Sequence, residues 1–178
     1  NRKSFIVGIK STKLLNREKK FLKKYKPWGV ILFSRNIKSI NQTKNLTDQI
    51  RKIFRDSKYP ILIDQEGGRV NRLSNLLDAS TFTAEFFGKL FKNDKKKFFI
   101  YSKIFIKQTC YLLEKIGINI NTVPVLDVRR INSNNIIGDR SFSSNPKIVS
   151  KIGNFYLDIL HKYKIASVIK HIPGHGLA

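Results

Sequence analysis

Three segments of this 178-residue chain concentrate the residue types that bind hydroxyl-rich ligands or exchange protons. One is Lys170-His171-Ile172-Pro173-Gly174-His175-Gly176, where an ammonium with three donors stands beside an imidazole able to donate or accept near neutral pH. Its Pro173, Gly174 and Gly176 predict a turn in which the backbone approaches another group closely. A second is Asp64-Gln65-Glu66-Gly67-Gly68-Arg69-Val70-Asn71-Arg72, a carboxylate closing an apolar run and followed by paired glycines and two arginines. At the carboxyl end of a buried strand, Asp64 can accept hydrogen bonds from substrate hydroxyls. The third is Asn135-Ile136-Ile137-Gly138-Asp139-Arg140-Ser141-Phe142, whose Arg140 can reach the same place. Plainer readings stand beside these. The last segment can be a polar turn with a surface histidine, and the second can hold an Asp64–Arg72 or Glu66–Arg69 ion pair that braces a loop. Asp127, at another strand end, reads as a structural hydrogen-bonding residue.

The elements that must position these groups follow from periodicity. Apolar runs predict strands over 5–9, 29–33, 60–64 and 165–169, the last rich in β-branched residues and read as buried. Another strand region covers 118–121 and 123–127, and Pro124 argues against a regular ladder there. Helical spacing covers 16–26, 39–55, 98–116 and 146–163, and Gly117 is placed to end the third of these helices. Strands that alternate with helices, each strand a continuous apolar run, imply a parallel sheet covered by helices. The predicted class is therefore α/β, of the (β/α)8 TIM-barrel type. A doubly wound sheet fits less well, because no Gly-rich phosphate fingerprint follows the first strand. A full barrel takes about 250 residues, so the chain is expected to hold about the first five βα units of an incomplete barrel.

Length and 41% apolar content allow one core, and no compositional break divides 1–178 into two domains. No window has eighteen consecutive apolar residues, and the polar start leads into a strand-like run, so a cytoplasmic protein without membrane contact is expected. The lone Cys110 cannot form an internal disulfide and reads as a core thiol. A formal charge of +23 suggests nucleic acid, yet 25 of the 35 basic residues are lysines spread over several predicted helices. With many Ile, Asn and Phe beside them, they match the bias of an AT-rich coding sequence, and no nucleic-acid-binding fingerprint is present. No metal or cofactor is expected.

The segments gain specificity as a set. Gly29-Val-Ile-Leu-Phe-Ser-Arg-Asn36, Ile63-Asp-Gln-Glu-Gly-Gly-Arg-Val-Asn-Arg72, Val123-Pro-Val-Leu-Asp-Val128, Ile137-Gly-Asp-Arg-Ser-Phe142 and Lys170-His-Ile-Pro-Gly-His-Gly176 follow one another over nearly the whole chain. In this order they resemble family-3 glycoside hydrolases of the bacterial β-N-acetylglucosaminidase (β-hexosaminidase) type, enzymes of peptidoglycan recycling. The Pro173-Gly174-His175-Gly176 ending resembles the N-acetylhexosaminidase branch rather than the β-glucosidase branch. The resemblance implies the N-terminal portion of a barrel enzyme that removes terminal β-linked N-acetylglucosamine from muropeptide fragments. It also implies that Asp64, Arg72, Arg140, Lys170 and His171 hydrogen-bond the sugar beside the scissile bond. The family is a retaining one, with a carboxylate nucleophile and a separate acid/base. In this branch the acid/base resembles a His-Asp pair just beyond Pro-Gly-His-Gly, and the nucleophile comes from a much later strand. Neither is matched in this chain, which starts at Asn1 without Met, so a fragment lacking both catalytic groups is expected. His175 is expected to shape its turn rather than substitute for the acid/base. The alternatives from other classes are a degenerate, non-catalytic sugar-binding protein and a basic nucleic-acid-binding protein.

Overall fold

The computed structural model describes residues 1–130 and 135–175, so Gly176, the end of the Lys170 segment, lies outside the described residues. Its elements run β1 (Lys3–Gly8), α1 (Asn16–Tyr25), β2 (Pro27–Leu32), α2 (Ile40–Phe54), β3 (Ile61–Ile63), α3 (Ala84–Asn93), α4 (Lys95–Lys115), β4 (Ile120–Asn121), α5 (Pro146–Lys162) and β5 (Ala166–Ser167). The strands form one sheet in the order β1-β2-β3-β4-β5, every neighbouring pair parallel. A doubly wound sheet reverses direction at a switch point, whereas a barrel adds each strand to the same edge. The observed order is the barrel's.

Local chemistry sets the helix boundaries. Ser39, Thr83, Asp94 and Asn145 cap α2, α3, α4 and α5 by accepting hydrogen bonds from Gln42, Phe86, Lys97 and Lys147 amides. Gly117 ends α4 at φ +74, a conformation that costs an L side chain about 1 kcal/mol or more. Between β3 and β4 the ladder is extended by side chains. Asn119 Oδ1 accepts from the Ile61 amide at 2.8 Å, while Asn121 takes the Gln65 amide at 3.0 Å and donates to the Gln65 carbonyl at 3.1 Å. These asparagines explain how a strand region with polar alternation sits at the centre of a parallel sheet. The ladder breaks at Pro124, as the missing proline N–H requires, and pairing resumes at Val125 with Lys170.

Two expectations are corrected. Residues 165–169 do not form a buried strand: only Ala166–Ser167 lie in the ladder, and Val168 and Ile169 are 43% and 40% exposed. The cause is position, since β5 is an edge of the described sheet and has no neighbour on its far side. The same holds at the opposite edge, where Phe5 and Ile6 of β1 are exposed. Helix α3 stands in the stretch between the strand at 60–64 and the helix at 98–116, where periodicity predicts no element, although Thr83 as a cap and Phe86, Phe87, Leu90 and Phe91 at helical spacing carry its signal. Gly88 in its middle weakens the helical propensity. The structure shows its use: a Cβ there would stand 1.6 Å from the Phe142 carbonyl oxygen, so α3 packs directly against the loop that carries Arg140.

Beneath that loop lies an aromatic group of Phe82, Phe87, Phe105, Phe142 and Tyr156, with neighbouring ring centroids between 5.2 and 6.2 Å apart. Phe87, Phe105 and Phe142, which are buried, each contribute roughly 1.5–3 kcal/mol. Cys110 is a core residue, and burial pushes its thiol up to about 11, well away from reactivity. No helix among the described residues is long and apolar enough to cross a membrane.

Candidate functional site

The segment after β3 makes a tight reversal. Gly67 and Gly68 take φ of +95 and +57, and a Cβ on Gly67 would meet the Phe82 carbonyl oxygen at 2.3 Å, so neither position has room for another residue type. The reversal turns Glu66 inward. Gln65, itself buried, uses Oε1 to accept from the Arg72 and Leu73 amides at 2.8 and 3.1 Å, which fixes the returning strand of the loop.

Three of the residues expected at the site, Asp64, Arg140 and Lys170, meet at the carboxyl side of the sheet together with Glu66. Arg140 grips Glu66 with two parallel bonds, Nε to Oε2 and a terminal nitrogen to Oε1, both at 2.8 Å. Lys170 Nζ lies 2.6 Å from the same Oε1 and 3.2 Å from Asp64 Oδ1 and from Thr122 Oγ1. The Thr122 hydroxyl donates to Asp64 Oδ1. Arg72 is near enough for its charge to act on Asp64, sits over the Phe33 ring at 5.6 Å, and keeps a buried Nε without a hydrogen bond among the described residues. His171 follows Lys170 but turns to Asp127, its Nδ1 2.6 Å from Oδ2.

Neither ion pair proposed as a loop brace forms. Glu66 binds Arg140 and Lys170, whereas Arg69 leaves for Asp139 at 2.9 Å and for the Asn135 and Ile136 carbonyls. Asp64 pairs with Lys170 instead of Arg72. The physical reason is direction: Arg69, directly after the paired glycines, points to Asp139, while Arg140 reaches Glu66 from the facing loop. Glu66 is the residue sequence reasoning passed over as a site member. The available signal was its place between a strand end and paired glycines, a place with no packing role for a carboxylate.

The electrostatics follow from these contacts. Burial alone would raise the Asp64 carboxyl, but the Thr122 hydroxyl, the Lys170 ammonium and the Arg72 guanidinium together hold it below its ordinary value. Glu66 is likewise raised by burial and more strongly lowered by Arg140 and Lys170. Its contact with Glu66 pushes Arg140 up. Asp127, penalised by burial, is held down by the His175 amide and the His171 ring. All three carboxyls have folded values below their unfolded ones near 4, so the stability they confer is intact above about pH 5 and drains away as pH falls through the folded values. The urea midpoint is expected to fall steeply below pH 4; a midpoint flat down to pH 3 would contradict these assignments.

The arrangement leaves defined groups for a ligand. Both contacts of Asp64 use Oδ1, so Oδ2 keeps its lone pairs, and the 3.2 Å contacts of Lys170 are the long ones that a hydroxyl can replace. A polyhydroxylated ring fits such a mix of donors and acceptors. No group of three or more His, Cys, Asp or Glu with metal-binding geometry exists among the described residues.

Known proteins are similar to this chain in sequence and fold. A family profile described as glycosyl hydrolase family 3 N terminal domain matches residues 6–178. A beta-hexosaminidase of Hydrogenovibrio crunogenus is 37% identical over 172 residues, covering 96% of this chain and 47% of the relative. Among solved structures, NagZ from Neisseria gonorrhoeae in complex with N-trifluoroacetyl-D-glucosamine superposes with a TM-score of 0.88 at 29% identity, over 98% of this chain and 51% of the other. A family 3 beta-N-acetylglucosaminidase from Paenibacillus sp. gives a TM-score of 0.82 at 26% identity, over 97% and 32% of the two chains. The chain thus spans about half the length of the curated relatives it matches.

Proposed function

Because the chain belongs to glycosyl hydrolase family 3, within the family's N-terminal domain, we propose that it is the sugar-binding part of a β-N-acetylhexosaminidase. Residues 1–178 then form the N-terminal part of one barrel domain. The reaction is release of terminal β-linked N-acetylglucosamine, and the substrates are muropeptide fragments met in the cytoplasm during peptidoglycan recycling.

The observation that carries this reading is the Asp64–Lys170–Glu66–Arg140 chain at the carboxyl side of the sheet. In the proposed complex Asp64 Oδ2 accepts from one ring hydroxyl, while Lys170 and Arg140 donate to others and Arg72 adds charge beside Asp64. His171, next to Lys170 in the chain, closes the set. Glu66 touches no sugar; it neutralises the two cations and aims them. Such preorganised donors cost no reorganisation when the ring binds.

Hydrolysis with retention needs a nucleophilic carboxylate and a separate acid/base on either side of the scissile bond. Neither role is assigned within 1–178. Asp64 and Glu66 are held by cations, Asp127 is held by His171 and His175, and Asp139 is bound by Arg69. This engagement also favours a second reading, binding without turnover, as in a sugar-binding protein derived from the enzyme.

Calorimetric titration with N-acetylglucosamine tests the site. Asp64→Ala and Lys170→Ala are each expected to weaken binding by about tenfold to a hundredfold, the loss of one charged hydrogen bond at about 1.5–3 kcal/mol. Wild-type affinity in both variants would place the sugar elsewhere.

A further inference from the structure

The geometry points to Asp127 as a positioning residue: its carboxylate holds His171 as the tautomer protonated on Nδ1 and ties that ring to the Pro173-Gly174-His175 turn, leaving Nε2 to accept from a ligand hydroxyl. Only the final clause rests on the sugar-site reading above.

Asp127 has a side chain 1% exposed, and it is acceptor-only when ionised. Oδ2 takes His171 Nδ1 at 2.6 Å and the His171 amide at 3.2 Å, while Oδ1 takes the His175 amide at 2.6 Å. A buried carboxylate at this distance from a ring nitrogen requires the proton to lie on Nδ1. A neutral imidazole then carries a lone pair on Nε2. The His171 side chain is 28% exposed and borders an open cleft with Val128, Pro173 and Gly174, so that nitrogen belongs to a ring that a ligand can reach. On the far side the His175 ring meets His171 edge-on at 5.2 Å, which limits its rotation. The Asp127 carbonyl also accepts from the Ser141 hydroxyl at 2.6 Å, next to Arg140. One residue therefore links the loop carrying Arg140 to the segment carrying Lys170 and His171.

A brace for the turn alone needs one oxygen, whereas fixing the tautomer as well needs two. Asparagine has one oxygen and one amide nitrogen. Whichever way it rotates, a donor faces a donor, either at His175 or at His171. In the full chain, ¹⁵N NMR of the imidazoles is expected to show His171 mainly protonated on Nδ1. In Asp127→Asn the His171 signal should move toward the Nε2-protonated form or an even mixture, with His161 unchanged as an internal reference. Affinity for N-acetylglucosamine should fall about tenfold, the range of one lost neutral hydrogen bond. A wild-type His171 protonated mainly on Nε2 overturns the inference, whether or not the variant folds. So does an Asp127→Asn variant that keeps both the wild-type tautomer and the wild-type affinity. A wild-type protein with the Nδ1 tautomer that binds no sugar upholds the positioning role and removes the sugar-site reading instead.

Discussion

Alanine at Glu66 is expected to destabilise the protein by about 3–5 kcal/mol, the range seen when one partner of a buried ion pair is removed. Glu66, Lys170 and Arg140 have side chains only 7%, 14% and 16% exposed. Taking away the one carboxylate both cations share leaves Arg140 without its ion pair and Lys170 with only the longer Asp64 contact in a poorly solvated site, with two parallel guanidinium bonds lost at once. Asp48→Ala is the proper comparison. Its pair with Lys44 joins side chains 41% and 44% exposed, and such exposed pairs contribute within about 1 kcal/mol. Urea unfolding at unchanged slope should separate the two variants clearly. If Glu66→Ala loses no more than Asp48→Ala, the cluster is not the buried network described above.

The largest kinetic effect is expected from the 178-residue chain assayed by itself against a chromogenic β-N-acetylglucosaminide. Turnover should be indistinguishable from background, since the reading proposed above assigns neither nucleophile nor acid/base within 1–178, and loss of a catalytic set removes about 10⁶ in rate. The reading proposed above needs a carboxylate nucleophile and a separate acid/base on either side of the scissile bond. Here the carboxylates lining the site all have partners, and a nucleophile bound by an ammonium and a hydroxyl, as Asp64 is, has its lone pairs committed on that oxygen. Turnover at an ordinary enzymatic rate that Asp64→Ala abolishes would make Asp64 the nucleophile and overturn the assignment of hydroxyl binding to it.

Much of this was legible before folding. Strand-helix alternation announced the parallel sheet because buried parallel strands must be apolar on both faces, as β3 is at the successive buried residues Ile61, Leu62 and Ile63. The edge strands broke that rule: the same apolar composition in β1 and after β5 meets solvent, because a sequence does not record how many neighbours a strand has. Helix α3 escaped notice because Gly88 lowers propensity locally for a gain that exists only where Phe142 crosses it. The site showed the same division. Asp64, Lys170 and Arg140 stood out as charges at strand ends or in a facing loop, and the structure brings them to one cluster. Arg72 and His171 border it through Asp64 and Asp127.

Sequence by itself determined which residue types face the carboxyl side of the sheet, since every strand of a parallel sheet delivers its end there, and it determined where backbone freedom was needed, at Gly67 and Gly68. Only the tertiary structure decided who pairs with whom. Glu66 lies three residues from Arg69 and 74 from Arg140, yet it takes the distant arginine. Charge pairing is decided by the direction a side chain leaves its turn and by what burial makes costly to leave unpaired, and neither quantity is a property of spacing along the chain.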